Sequence, residues 1–206
     1  MTDTVFAILL AAGYSRRFGD RNKLLVSFRG KPLVRHTLDL VCGMGCFERI
    51  FFIYADEEVA ALAREHIAAG HPVTAIYNPS PEKGQGESVR LGTAAANDVE
   101  VSGGTATYYF FFPCDQGLLD AATVRLLLNA AQPGCIVEPS CSHSLVSHGS
   151  PSLFSAVFRD ELLSLAPGEQ PRLLKSRHPA AVIQVTVPNP AVLEDIDTPA
   201  DLERLE

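Results

Sequence analysis

The chain has 206 residues, 47% hydrophobic and 20% charged, with 17 Lys+Arg against 24 Asp+Glu and a formal net charge of −7. That length and apolar content predict one globular domain with a core that needs no disulfide or metal staple, and they exclude a disordered chain. The net negative charge argues against a nucleic-acid partner, because phosphate backbones are bound by a surplus of Lys and Arg.

The longest apolar run, residues 5–12, is far shorter than the roughly 20 residues that cross a bilayer, so no membrane partner is expected. Asp3, not a basic stretch, precedes it, which argues against a signal peptide. Five cysteines without such a signal point to a reducing, cytoplasmic location.

Residues 5–11 form a continuous apolar run that stops at Gly13, the pattern of a strand buried on both faces of a parallel sheet. Helical spacing follows at 32–41, then a strand at 49–54, a helix at 57–69 and a strand at 73–77. A helix at 87–96 leads into the strongest strand, 107–112, which reads Thr-Tyr-Tyr-Phe-Phe-Phe. A helix at 121–131, a short strand at 135–138, a helix at 154–165 and a strand at 182–187 complete the alternation. Thr198 as N-cap, Pro199 in the first turn and Asp201 three residues on announce a last short helix. Alternating strands and helices predict right-handed crossovers. The expected fold is therefore a single α/β domain over residues 1–206, three-layered, with a mainly parallel, doubly wound, Rossmann-like sheet. Such sheets bind ligands at the carboxyl ends of their strands, near the switch in strand order.

Charge is unevenly spread. Between Arg16 and Arg35 seven cations face only Asp20, a local +6 that leaves −13 elsewhere. A cationic segment in an acidic chain is either a solvated loop or a site for an anion. Its position after the first strand favours the site: Leu10, Ala11, Ala12 and Gly13 are small or bare enough for backbone N–H groups to approach a ligand. Arg17 offers a planar fork for phosphate oxygens and Lys23 a point charge on a flexible stem. Neither a Walker A loop nor G-x-G-x-x-G is present.

Three further segments follow strands or precede a helix. Asp115 and Gln116 stand directly after the strongest strand, where a carboxylate can hold Mg²⁺ or cap a turn. Asp195 and Asp197 alternate ahead of the last helix, and Asp197 is a second metal-ligand candidate. The stretch 78–88 holds an Asn, two glycines and, opening a helix, Ser88; it reads equally as a plain connector. The cysteines form no paired zinc pattern, and no Ser sits in a G-x-S-x-G elbow.

Read together, these segments resemble a known family. The string Leu10-Ala-Ala-Gly-x-Ser-x-Arg17-x-Gly19, followed by Lys23-Leu-Leu, is similar to the signature loop of nucleotidyltransferases that activate molybdopterin, sugar phosphates and methylerythritol phosphate. The later motifs, Gly30-Lys-Pro-Leu33, Pro113-Cys-Asp-Gln116, Gly149-Ser-Pro151, Arg172-x-Leu-Leu and Asp195-Ile-Asp-Thr-Pro199, are closer to the molybdenum cofactor cytidylyltransferase family. The resemblance implies that Leu10, Ala11, Ala12 and Gly13 receive the nucleotide, with Ser88, Gln116 and Ser150 as further substrate-binding positions. It also implies that Arg17, Lys23 and Asp115 are catalytic and that Asp115 and Asp197 hold Mg²⁺. The spelling Ala-Ala-Gly goes with CTP.

The reaction so implied moves CMP onto the terminal phosphate of molybdopterin and releases pyrophosphate, with a molybdoenzyme as eventual recipient. A guanylyl- or sugar-phosphate nucleotidyltransferase remains open, as does a non-catalytic factor that binds nucleotide or cofactor for a molybdoenzyme. Three departures from the family pattern, Gly117, Ser150 and the loop at 84–88, are expected on the acceptor side.

Overall fold

The fold is taken from a computed structural model that describes residues 3–13, 18, 22–99, 107–141 and 149–206. Arg17 lies outside them, so its expected role stands on the sequence alone. In chain order the first elements are β1 (Thr4–Ala11), a small antiparallel pair β2 (Ser27–Phe28) and β3 (Lys31–Pro32), α1 (Leu33–Met44), β4 (Arg49–Tyr54), α2 (Glu57–Ala68) and β5 (Val73–Tyr77). Then come α3 (Gln85–Asn97), β6 (Thr107–Pro113), α4 (Ala121–Asn129), β7 (Ile136–Ser140) and β8 (Ser152–Ser155). The last are α5 (Arg159–Leu163), α6 (Arg172–Arg177), β9 (Val182–Thr186) and α7 (Pro199–Leu205).

The main sheet has the order β5-β4-β1-β6-β8-β7-β9 and is parallel except for β8, which runs against both of its neighbours. β1 alternates its side chains between two cores, as a strand covered on both faces must. Ala7, Leu9 and Ala11 face α1, α2 and α4, packing with Leu38, Val59 and Val124; Phe6 and Ile8 face α3 and α5, packing with Val89 and Leu162. Helix α2 starts where the Asp56 carboxylate accepts from the N–H groups of Glu58 and Val59, and α7 where Thr198 and Asp201 form a reciprocal capping box.

The chain runs outward from β1 to β4 and β5, then returns to place β6 on the other flank of β1. The strand order therefore reverses between β1 and β6, and the carboxyl ends of these two strands flank the crevice where such sheets take ligands. That is where residues 10–13 and Asp115 emerge.

One expected element is different. The predicted helix at 154–165 is instead the end of β8, a short 3-10 turn over Ala156–Phe158, and the five-residue α5. The side chains of Ser152–Ser155 are all buried, and the segment pairs with β6 on one side and β7 on the other. That two-sided ladder overrides a local apolar spacing too short to distinguish helix from strand.

Candidate active site

Lys23 begins a single 3-10 turn, Lys23–Leu25, whose start is fixed by the Asn22 side chain accepting from the Leu24 N–H. Asn22 also donates to the Asp56 carboxylate at 3.0 Å, and Leu24 is buried in the core. The turn is thus pinned at both ends, and the Lys23 side chain is directed at the end of β6. Its ammonium donates to Asp115 Oδ2 and to Asp197 Oδ1, each at 2.7 Å. Burial lowers the Lys23 pKa, but the two carboxylates outweigh it and the net shift is upward, which keeps the ammonium charged.

Asp115 is carried by the turn after β6, and its carbonyl accepts from the Ile196 N–H at 2.9 Å. That bond draws the segment before α7 onto the sheet. Ile196 buries completely beside Phe28 and Leu33, while its neighbours Asp195 and Asp197 reach the site, the period-two logic of an extended strand. Among the described residues, three carboxylates and one ammonium therefore meet at the reversal in strand order. Asp115 Oδ1 is buried and has no hydrogen-bond partner among the described residues.

Asp195, flagged in the sequence only as one of two alternating acids, also joins this cluster. Burial and the adjacent Asp115 push its carboxyl up to about 7, so it holds a proton near neutrality. The signal was its alternation with Asp197. Gln116 is nearly completely buried, and its amide nitrogen contacts the Leu193 carbonyl and Asp195 Oδ1 at 3.0 Å and the Ser150 carbonyl at 3.3 Å. With two hydrogens for three acceptors, Gln116 ties three segments together. Cys114, fully buried, has its thiol pushed well up by burial, the state of an inert packing cysteine.

A cavity of about 920 Å³ opens beside this cluster, lined by Leu10, Asp115, Gln116, Ser150 and Asp195 and reaching across the sheet to Glu138, Lys175 and Gln184. Ala11 and Ala12 are buried and Gly13 is exposed at the rim of the sheet. Ser88 is placed apart from the cavity: its hydroxyl is buried and accepts from Asn78 at 3.0 Å, holding the 78–88 connector together.

Gly117 does not line the cavity. A Cβ there would sit 2.6 Å from the Phe28 ring and 2.9 Å from Leu33, so the bare residue accommodates the β2–β3 pair. The basic segment also divides. Lys23 serves the site, whereas Lys31 pairs with Asp39, Arg35 with Glu65, and Arg29 donates to the Leu205 carbonyl at 2.8 Å.

Residues 7–182 match the model of the MobA-like NTP transferase domain. The chain belongs to this family. Within the nucleotidyltransferase superfamily that this defines, it is 28% identical to nicotine blue oxidoreductase of Paenarthrobacter nicotinovorans, over 98% of this chain and 96% of that one. It is also 28% identical to the molybdenum cofactor guanylyltransferase of Pseudomonas aeruginosa, over 60% of this chain and 54% of that one. A solved nucleotidyl transferase from Methanothermobacter superposes with a TM-score of 0.76 at 19% identity, over 98% of this chain and 95% of that chain. A Mycobacterium tuberculosis protein solved in complex with manganese gives 0.67 at 21% identity, over 98% and 97%. These solved structures share the fold.

Proposed function

We propose that the chain, acting as one domain over residues 1–206, is a cytoplasmic, metal-dependent nucleotidyltransferase. In this reading it transfers CMP from CTP to the terminal phosphate of a molybdopterin-type acceptor, and a molybdoenzyme receives the product. The observation that carries the reading is the Lys23 ammonium held between Asp115 and Asp197 at the mouth of the cavity.

The buried Asp115 Oδ1, without a hydrogen-bond partner among the described residues, is an oxygen donor that suits a hard divalent cation such as Mg²⁺, which takes few ligands from protein. Asp115 and Asp197 would hold it. When bound, the ion supplies neutralising charge at the phosphates. Lys23 presents its ammonium to the phosphate oxygens, and Arg17 adds a second cation from the loop. The acceptor phosphate is largely ionised at neutral pH, its second pKa being about 6, so the chain needs no general base. An acceptor oxygen forms the new bond to the α-phosphorus, the bond to the α,β-bridging oxygen breaks, and pyrophosphate leaves with the electron pair. Residues 10–13 position the nucleotide, Ser150 lines the acceptor's path, Gln116 holds that path in shape, and Ser88 shapes the nucleotide loop from behind.

The Ala12 spelling of the loop supports CTP, and the guanylyltransferase relative makes GTP its first competitor. The test is pyrophosphate release with Mg²⁺, molybdopterin and CTP, GTP, ATP or UTP in turn. Release with CTP is expected; release with GTP alone would reassign the base, and nucleotide binding without release would favour a non-catalytic maturation factor. The near full-length likeness to nicotine blue oxidoreductase favours a second reading, an oxidoreductase on the same fold. Consumption of NADH or NADPH without nucleotide transfer would support it.

A further inference from the structure

Lys23 stands on a turn too short to hold itself. A 3-10 turn of three residues, Lys23–Leu25, closes few bonds for the dihedrals it fixes, so its position is set from outside. On the core side, Leu24 packs with Leu38 of α1 and Val59 of α2, and the Val26 carbonyl accepts from the Leu33 N–H at 2.9 Å. On the side where the chain enters the turn, Asn22 makes the connection.

Asn22 uses both ends of its amide. Oδ1 accepts from the Leu24 N–H at 3.1 Å, and Nδ2 donates to Asp56 Oδ2 at 3.0 Å, across 34 residues of chain. Asp56 also accepts through Oδ1 from the N–H groups of Glu58 and Val59, at 2.8 and 3.4 Å, as the N-cap of α2. The demands on the two side chains differ. Residue 22 must accept and donate at once, which an amide does and a carboxylate cannot. Residue 56 only accepts, and its ionised carboxylate makes the link charge-assisted. The Asn22 bond is the chief cause holding the Asp56 carboxyl below its ordinary value.

The link bears on what Lys23 does. Its ammonium reaches two carboxylates at once from the end of a flexible stem, which demands a fixed base. The same two carboxylates would hold Mg²⁺ in the reading above, so they do not by themselves fix the ammonium where phosphate oxygens arrive. A backbone tied to the cap of the twelve-residue α2 does.

We propose that Asn22 and Asp56 are positioning residues for Lys23, setting where its ammonium stands at the end of β6 and, through it, kcat. The kcat part rests on the nucleotidyltransferase reading; the placement of Lys23 does not.

The test exchanges the partners. It compares the wild type, Asn22→Ala, Asn22→Asp, and Asn22→Asp combined with Asp56→Asn. Asn22→Asp keeps the acceptor for Leu24 but sets two carboxylates against each other. Adding Asp56→Asn restores the bond with donor and acceptor exchanged and returns the net charge to that of the wild type. One readout is pyrophosphate release with CTP, Mg²⁺ and molybdopterin. The other is acetic anhydride labelling of Lys23 without nucleotide or metal, read by mass spectrometry against the exposed Lys83. Each single variant should lower kcat about tenfold or more while the KM for acceptor stays within about twofold. Each should also raise Lys23 labelling about threefold or more, because an ammonium that leaves its carboxylates loses its proton more readily. The exchanged pair should return both readouts to within about twofold of the wild type.

A helix cap and nothing more would lower the melting temperature without moving Lys23 labelling, and that result would overturn the proposal. So would single variants that keep the kcat of an active wild type, or an exchanged pair no better than Asn22→Asp on its own. If a single variant fails to fold, the exchanged pair decides, since it must recover both readouts. A wild type that releases no pyrophosphate, with Lys23 labelling raised and restored as stated, would sink the reaction while leaving the placement of Lys23 by this pair intact.

Discussion

The two ends of the cavity handle charge in opposite ways. At the β1–β6 end, the Lys23 ammonium donates to Asp115 and Asp197 with Asp195 close by, and Asp115 Oδ1 is buried without a hydrogen-bond partner among the described residues. At the β7–β9 end, Glu138 and Lys175 pair with each other, Gln184 donates to Glu138, and Arg172 adds a further cation to the lining. In the proposed function, the β1–β6 end takes charged ligands that arrive together, a cation and a phosphate chain. The two ends are separated along one sheet face, so mutations at each can be told apart by which measurement they move.

The sharpest break in this comparison is Asp115→Ala, which should lower kcat by about a thousandfold in a pyrophosphate-release assay while the protein stays folded. Lys23→Ala should cost kcat roughly a hundredfold, with a smaller change in the KM for acceptor. At the β7–β9 end the large effect should be on stability. Lys175→Met alone strands the buried Glu138 carboxylate and should cost about 3–5 kcal/mol in urea unfolding, most of it recovered when Glu138→Gln is added.

A finer test uses Asp195. Its carboxyl stays protonated to about 7 in the folded chain but ionises near 4 when unfolded, so the folded state holds the extra proton between these values. Stability from this group is fully present below pH about 4 and is lost as pH rises through about 7. Urea midpoints of the metal-free protein should therefore be lower at about pH 8 than at about pH 5.5, and Asp195→Asn should flatten that slope. The smallest effect expected is from Gly117→Ala, which crowds Phe28 and Leu33 and should cost about 1–3 kcal/mol without changing either KM.

Much of this was legible in the sequence. Strands 49–54 and 73–77 stand where the apolar, β-branched and aromatic runs place them, the first buried along nearly its whole length and the second paired to it at the sheet's edge. Lys23, Asp115 and Asp197 were found from the rule that parallel sheets bind at strand ends, and the structure brings the three together. Glu138 lies near the end of β7, and nothing in its local sequence marks it, because its ion-pair partner is distant in the chain. That partner, Lys175, rides on α6, six residues whose position is set by tertiary packing and not by any local pattern. β8 was hidden for a similar reason: four residues become a strand through two neighbours distant in sequence. Gly117 shows the limit of reading contiguity as proximity. Asp115 and Gln116 face the cavity, and the next residue turns toward Phe28.

The central claim is that the Lys23–Asp115–Asp197 cluster supports nucleotidyl transfer. It is tested most directly by following label from the α-phosphate of CTP in the presence of Mg²⁺ and molybdopterin, with wild type and Asp115→Ala side by side. The account predicts label in the acceptor and unlabelled pyrophosphate for the wild type and neither for the variant. Equal transfer by both proteins, or no transfer of α-label by the wild type from any of the four nucleoside triphosphates, would contradict it.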